Sequence, residues 1–131
     1  MFVDASALTA ILIGEPDAGD LRVRLAAHDV RLTSPMAVWE VVVAVSRRRE
    51  MEVGDAEAVV EDFLRLAKID VRPIPADVRH AAIAAFNRFG KGRHPAALNF
   101  GDCFAYACAR QAGMPLLYKG DDFSRTDIEP A

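Results

Sequence analysis

The chain has few of the residues that mark several common classes of protein. Its 131 residues include only two cysteines, Cys103 and Cys108, and no second pair or histidine lies at zinc-ligand spacing from them. This arrangement supports neither a disulfide framework nor a structural zinc site. No apolar run approaches the roughly 18–20 residues that span a bilayer, and no basic segment precedes the apolar N-terminus. We therefore expect a cytoplasmic protein without a membrane segment.

Sequence motifs for several catalytic classes are also missing. The chain has no Walker loop, no Gly-x-Gly-x-x-Gly after the first predicted strand and no Gly-x-Ser-x-Gly elbow, so the folds that use these motifs are not indicated. Ser6 stands where an aspartyl-phosphate phosphatase would normally have a second aspartate. The three histidines are scattered. Their spacing gives little support to a metal-free ribonuclease with two catalytic histidines, although it does not exclude one.

Positive charge is scarce overall but is concentrated locally. The formal net charge of −3 argues against a general nucleic-acid binder. Basic side chains nevertheless gather in a glycine-rich loop that begins at Gly90. There Lys91, Arg93 and His94 are candidates for contacts with the backbone phosphates of a nucleic acid. The alternative interpretation of these residues is a solvated, charged loop.

Strand and helix patterns alternate along the chain. A hydrophobic content of 52% with 27% charged residues is typical of one compact domain, which we expect to span residues 1–131. Short apolar strands are predicted at residues 2–3, 30–33, 69–74 and 116–118, with helices between them. This order predicts an α/β fold, in which helices flank a short parallel sheet of four to five strands on both faces.

Polar residues mark where several helices begin. Ser34, which precedes a proline, predicts a helix start, and Asp77 can cap the helix that follows it. Asn99 stands three residues before Asp102, a capping arrangement in front of a helix over residues 103–111. The phenylalanines near these last two helices are expected to lie in the core rather than to stack on bases, namely Phe86, Phe89 and Phe104.

Isolated carboxylates interrupt or follow apolar segments at four places, namely Asp4, Glu40, Asp102 and the pair Asp121–Asp122. The carboxyl ends of parallel strands meet at one edge of a sheet, so Asp4 and the aspartate pair are predicted to share a rim. Carboxylates about 4 Å apart repel by roughly 4 kcal/mol per pair at an effective dielectric near 20, so such a cluster requires a cation or protons. An all-oxygen site without Cys or His ligands suits Mg²⁺.

Each acid also has a structural alternative. Asp4 could cap the first helix, Asp102 could stabilise the start of the last helix, and the aspartate pair could form an ordinary turn. Glu40 fits such a role least, because burial of an unpaired carboxylate costs several kcal/mol. The structural alternative for Glu40 is an arginine partner such as Arg47.

Four segments, in this order, carry a recognisable pattern. They are Met-Phe-Val-Asp4-Ala-Ser6, Ser34-x-x-x-x-x-Glu40, Leu98-Asn99-Phe100-Gly101-Asp102-Cys103 and Leu117-Tyr118-Lys119-Gly120-Asp121-Asp122-Phe123. Together they cover essentially the whole chain, which resembles the PIN domain and specifically its VapC group of toxin ribonucleases. The resemblance implies a PIN-like three-layer fold, a Mg²⁺ site that also accepts Mn²⁺, and cleavage of RNA.

The resemblance also assigns roles to individual residues. Asp4 and Asp102 match the two aspartates that contact the principal metal ion, and Glu40 matches the glutamate that completes the site. Asp122 is the best match to the fourth acid, although many PIN domains have a threonine and an earlier aspartate in this turn, so Asp121 could share or replace its role. Residues that resemble those orienting the acids are Ser6 and Asn99.

The function implied by the resemblance is that of a Mg²⁺-dependent endoribonuclease toxin of a VapBC-type pair, which hydrolyses phosphodiester bonds with metal-activated water. The expected partners are an RNA substrate, a cognate VapB-like antitoxin and a second copy of the chain. The alternative is a catalytically degenerate PIN-like module that binds a protein through its apolar helices. The four filled acidic positions argue against that alternative.

Overall fold

The computed structural model describes residues 1–131 as four short strands, six α-helices and one 3-10 turn. The strands are β1 (Phe2–Val3), β2 (Arg31–Thr33), β3 (Ile69–Val71) and β4 (Leu116–Leu117). The helices are α1 (Ala5–Ile13), α2 (Ala18–Ala26), α3 (Pro35–Arg49), α4 (Val53–Leu66), α5 (Val78–Phe89) and α6 (Phe100–Ala112), and the 3-10 turn is Phe123–Arg125. None of the helices combines the length and apolar character needed to cross a membrane.

The four strands form one parallel sheet in the order β3-β2-β1-β4. The N–H of Asp4 donates to the carbonyl of Leu117 at 2.9 Å, and the N–H of Leu32 donates to that of Met1 at 2.9 Å. An isolated bridge between Leu116 and Pro130 extends the sheet beyond β4. The predicted α/β fold, with helices flanking a short parallel sheet, is therefore confirmed.

Side chains that alternate between the two faces of the sheet form two cores, and the result is three layers, with the sheet between two layers of helices. Successive side chains of a strand point to opposite faces of the sheet. Val3 and Leu117 accordingly belong to a core packed against α1–α4, whereas Phe2 and Leu116 belong to a second core packed against α5 and α6. Because each two-residue strand contributes to both cores, even these short strands are buried on both faces.

The helix starts differ from expectation in two respects, the missing cap at Asp77 and the earlier start of the last helix. Ser34 Oγ accepts from the N–H of Ala37 at 3.2 Å, which confirms the predicted start of α3. Asp77 precedes α5 without a side-chain capping hydrogen bond. The last helix begins at Phe100, three residues earlier than expected, because Asn99 satisfies the first turn of that helix directly.

The prediction that the phenylalanines of α5 and α6 lie in the core is wrong for one of them. Phe89 is buried and Phe104 is half-buried, but Phe86 is exposed at 42%. Phe86 lies three residues before Phe89, on the outer side of the stripe that α5 buries. Helical periodicity identifies an apolar stripe, but it does not fix how far the stripe extends toward solvent.

The strand order determines where polar groups meet. The chain moves from β1 to β2 on one side of β1, whereas β4 pairs with β1 on its other side. In open α/β sheets ligands bind outside the carboxyl ends of strands at such a reversal. Asp4 directly follows β1, and the turn containing Asp121 and Asp122 follows β4, so both segments lie at this edge.

Candidate active site

Asp4 is the most deeply buried acid of the molecule. Only 5% of the residue is exposed. Its Oδ2 caps α1 by accepting from the N–H of Ser6 at 2.9 Å and from Ser6 Oγ at 2.5 Å. Burial raises the pKa of the Asp4 carboxyl, and the hydrogen bonds from Ser6 oppose this shift. Both of those bonds use Oδ2, so Oδ1 accepts neither of them.

Asp102 is held in place by the first turn of α6. Its N–H donates to Asn99 Oδ1 at 3.0 Å, and its own Oδ2 accepts from the N–H of Asn99 at 2.8 Å. This reciprocal capping box fixes the carboxylate at the N-terminal end of the helix. The structural alternative considered for Asp102 is therefore real, but it does not exclude a second role, because the residue also lines the pocket described below.

Glu40 reaches the same place from α3. A Cβ built on Gly101 would lie 2.4 Å from Glu40 Oε1, so the absence of a side chain at Gly101 makes room for this carboxylate. No ion pair joins Glu40 to Arg47 or to any other basic residue. The arginine partner considered as an alternative for Glu40 is thus not observed.

The two aspartates after β4 differ in position. Asp122 lines the pocket with the other acids, whereas Asp121 does not. Asp121 instead offers its main-chain carbonyl to Ser124 Oγ at 2.7 Å, within the turn that leads into the 3-10 helix. Of the two, Asp122 is therefore the one placed to act with Asp4, Glu40 and Asp102.

The four acids line one open pocket of about 400 Å³ and influence each other electrostatically. The pKa of Glu40 is raised to about 7, first by burial and then by the charges of Asp4 and Asp102. The pKa of Asp102 is raised to about 6, mainly by burial and also by Asp4 and Asp122. Burial is the larger cause for both groups, and the charges of the neighbouring acids add to it.

The donor set of the pocket fits a hard divalent cation. Every candidate ligand is a carboxylate oxygen, the donor type that Mg²⁺ and Mn²⁺ prefer. In the observed side-chain conformations, however, no three acidic, His or Cys side chains are arranged to hold an ion by themselves. Mg²⁺ commonly takes only one or two protein carboxylates and completes its octahedron with water and phosphate oxygens, so the pocket meets its requirements.

None of the three basic residues of the loop that begins at Gly90 lines the acid pocket. Arg93 donates to Asn87 Oδ1 at 3.1 Å, and His94 Nδ1 accepts from the N–H of Ala96 at 3.1 Å. Lys91 is exposed. The loop is tied to the 3-10 turn after Asp122, because Arg125 donates to the carbonyl of Pro95 at 3.2 Å.

Three polar residues of the pocket escaped the sequence analysis, namely Thr9, Glu15 and Lys119. Thr9 lies on α1 one turn after Ala5, so both residues are on the helix face that lines the pocket. Lys119 directly follows β4 and thus stands at the carboxyl edge of the sheet, a position that could have marked it as a candidate. Glu15 lies in the turn after α1 and carries no comparable local signal.

Comparison with known proteins places this architecture in a family. A family model described as the PIN domain matches residues 1–129. The chain belongs to the PIN domain family. Among its curated relatives, VapC ribonuclease Mb0640 of Mycobacterium bovis is 42% identical over 128 residues, which are 98% of this chain and 95% of the relative. VapC ribonuclease R02377 of Rhizobium meliloti is 40% identical, with 97% of this chain and 98% of the relative covered.

A solved PIN-domain structure supports the fold independently. The crystal structure of Mycobacterium tuberculosis VapC20, described as a toxin that cleaves the sarcin-ricin loop, matches with a TM-score of 0.78. The match covers 99% of this chain and 97% of the VapC20 chain, and the two sequences are 20% identical. At that identity the likeness concerns the fold. The resemblance of this sequence to PIN domains of the VapC group is confirmed by these relatives.

Proposed function

We propose that this PIN domain is a metal-dependent endoribonuclease, the toxin of a VapBC-type pair, and that Mg²⁺ is its metal with Mn²⁺ as a substitute. The observation that carries the proposal is the convergence of four carboxylates from four separate segments on one open pocket. The names of relatives that match nearly the whole chain, all VapC ribonucleases, support the same activity.

The residues have distinct proposed roles. Asp4 and Asp102 are the principal metal ligands, since each is fixed by hydrogen bonds to its own helix start. Glu40 completes the site from α3, and Asp122 orients the attacking water or a second ion from the turn after β4. Ser6 and Asn99 hold Asp4 and Asp102 in position, and we place Lys91, Arg93 and His94 on the path of the RNA backbone.

The proposed reaction is hydrolysis of a phosphodiester bond. The bound cation supplies activation of water and neutralisation of the charge that develops on the phosphate. Asp4, Glu40 and Asp102 would hold such a cation, and Asp122 would orient the water for in-line attack. Water attacks phosphorus in line with the 3′-oxygen, so the P–O3′ bond breaks and the products carry a 5′-phosphate and a 3′-hydroxyl, without a part for the ribose 2′-hydroxyl.

The partners follow from the VapC relationship. We propose that a cognate VapB-like antitoxin inhibits this PIN domain and that two copies of the chain associate. We also propose that residues 1–131 form a single domain and act in the cytoplasm. Size-exclusion chromatography with light scattering, with and without the product of the neighbouring reading frame, measures both associations.

The test is cleavage of labelled RNA by purified protein with Mg²⁺ and with EDTA. Asp4→Asn keeps an oxygen that can cap α1 but removes a charge, so we expect it to lower cleavage by about a hundredfold or more without unfolding the protein. Asp70→Asn is the matched control, since Asp70 is exposed on β3 and its only ion pair is with Arg72. It should cleave like the wild type.

Two results would contradict the proposal. One is cleavage by the wild type that EDTA does not reduce. The other is a set of products ending in 2′,3′-cyclic phosphate, which would show attack by the ribose hydroxyl instead of by water.

A further inference from the structure

Lys119 is the only basic residue that lines the acid pocket. It follows β4 directly, and a third of its side chain is exposed. The main-chain N–H of Lys119 donates to Ser6 Oγ at 3.0 Å, and Ser6 Oγ in turn donates to Asp4 Oδ2 at 2.5 Å. The backbone of Lys119 is thus joined to the network that positions Asp4, and the ammonium group extends from this fixed point along the pocket wall.

The ammonium group of Lys119 is held by two carboxylates at the pocket rim. Nζ pairs closely with Glu15 and lies 3.5 Å from Asp17 Oδ1, and both acids belong to the connection between α1 and α2. The contact with Asp17 is an ion pair without hydrogen-bond geometry, since Asp17 Oδ1 has no hydrogen-bond partner. A lysine is a point charge on a flexible stem, so Nζ can exchange one anion for another with little movement of the backbone.

The charge of the pocket provides a reason for such an exchange. Asp4, Glu40, Asp102 and Asp122 together carry four negative charges when ionised, and a divalent cation would neutralise two of them. An RNA phosphate that approaches this pocket therefore still meets net repulsion. Among the lining residues only Lys119 can offset that repulsion.

We propose that Lys119 binds a non-bridging oxygen of an RNA phosphate at the acid pocket and that Glu15 and Asp17 hold its ammonium group there before RNA arrives. The inference rests on the proposed ribonuclease activity and adds a substrate contact to it. A tether is the competing role for Lys119, in which the ion pairs only fasten the turn after β4 to the connection between α1 and α2. The two roles predict opposite effects of removing Glu15.

The experiment measures steady-state cleavage of a labelled single-stranded RNA by Lys119→Gln, Lys119→Arg and Glu15→Gln. We expect Lys119→Gln to raise KM about tenfold, the effect of losing one charge-assisted hydrogen bond. Lys119→Arg should recover most of the loss. Glu15→Gln should lower KM by about threefold, because it removes a competitor for the ammonium group.

Salt dependence separates phosphate binding from a structural effect. The logarithm of kcat/KM, measured far below KM, should fall with the logarithm of salt concentration. Lys119→Gln should make this slope shallower by about 0.7, the value for one phosphate contact on a single strand. Lys119→Arg should keep the wild-type slope. Lys68→Gln is the matched control, since Lys68 is exposed and lies outside the pocket, and it should change neither KM nor slope.

The outcomes are distinguishable. If Lys119→Gln and Glu15→Gln impair cleavage alike and leave the salt slope unchanged, Lys119 is a tether and the inference is wrong. Glu15→Gln could also lower KM by the same factor in a Lys119→Gln background as in the wild type. Its effect would then come from general removal of negative charge, and the proposed exchange of Lys119 between Glu15 and phosphate would be wrong. Wild-type cleavage with an unaffected Lys119→Gln protein would refute only the role of Lys119, whereas a wild type inactive with Mg²⁺ would refute the ribonuclease proposal itself.

Discussion

At the scale of single residues, Glu40 shows most clearly how the acid pocket lowers the stability of the folded protein. Its carboxylate is partly buried, faces Asp4 and Asp102, and has no basic partner, so its pKa is raised to about 7. The folded state therefore binds a proton more tightly at Glu40 than the unfolded chain does. Between the unfolded pKa of 4.5 and about 7, the contribution of Glu40 to the free energy of unfolding decreases as pH rises.

Replacement of Glu40 should consequently stabilise the metal-free protein at neutral pH. In EDTA at pH 7.5 we expect Glu40→Gln to unfold at a higher urea concentration than the wild type. The expected gain in the free energy of unfolding is about 1 kcal/mol, a value reduced for solvent screening because the side chain is only half-buried. At pH 5, where Glu40 is protonated in the folded state, the difference should largely vanish. The same variant should cleave RNA poorly, because an amide cannot replace the anionic ligand.

The control for this prediction is Glu61→Gln, an exposed glutamate on α4. Its unfolding should match that of the wild type at both pH values. A Glu40→Gln protein that is less stable than the wild type at pH 7.5 would show that Glu40 is held by favourable contacts and not strained by neighbouring charge.

At the scale of secondary-structure elements, the site depends on how closely α3 and α6 approach each other. Gly101, in the first turn of α6, lies against the carboxylate of Glu40. Glycine is unfavourable inside a helix by roughly 0.5–1 kcal/mol relative to alanine. Here the missing side chain leaves room for a functional group, which explains its presence at this position.

Gly101→Ala should separate function from stability. The new Cβ would clash with Glu40 Oε1, at a built distance of 2.4 Å. Because that atom ends a flexible side chain, we expect Glu40 to turn away while the fold persists. Cleavage should fall about tenfold or more, with thermal unfolding within a few degrees of the wild type.

Gly54→Ala is the matched control for this element-scale prediction. Gly54 lies in the first turn of α4, and a Cβ there would meet no atom within 4 Å. This substitution should raise stability slightly, by up to about 1 kcal/mol, and leave cleavage unchanged. Equal cleavage by Gly101→Ala and Gly54→Ala would contradict the role assigned to the contact between α3 and α6.

Elements were predictable from sequence where a local signal exists. Ser34 marks the start of α3, and its side chain accepts from the N–H of Ala37 there. The extent of burial was not predictable at Phe86, since exposure depends on which helices pack beside α5. The position of Lys119 directly after β4 is visible in the sequence, but its ion pair with Glu15, far away in sequence, is recorded by no local pattern.

At the scale of the whole molecule, the fold brings together groups that repel each other. Asp4, Glu40, Asp102 and Asp122 come from segments spread over most of the chain, and the strand reversal at β1 assembles them at one edge. The family resemblance was needed to assign Glu40, in the middle of α3, and Asp102 to the site, whereas the shared edge of Asp4 and the pair Asp121–Asp122 was predictable from strand ends visible in the sequence. The distances between the acids were not predictable, since these depend on how the helices pack on the sheet.

A shared divalent ion is the central claim, and calorimetric titration of the metal-free protein with Mn²⁺ and with Mg²⁺ tests it most directly. We predict saturable binding to the wild type, with a rise in unfolding temperature. Asp102→Asn should lose most of this binding while keeping its fold, because its remaining side-chain oxygen can still serve the helix cap. Absence of specific binding by the wild type would contradict the claim and favour a protein-binding module, and unchanged binding by Asp102→Asn would place the ion elsewhere.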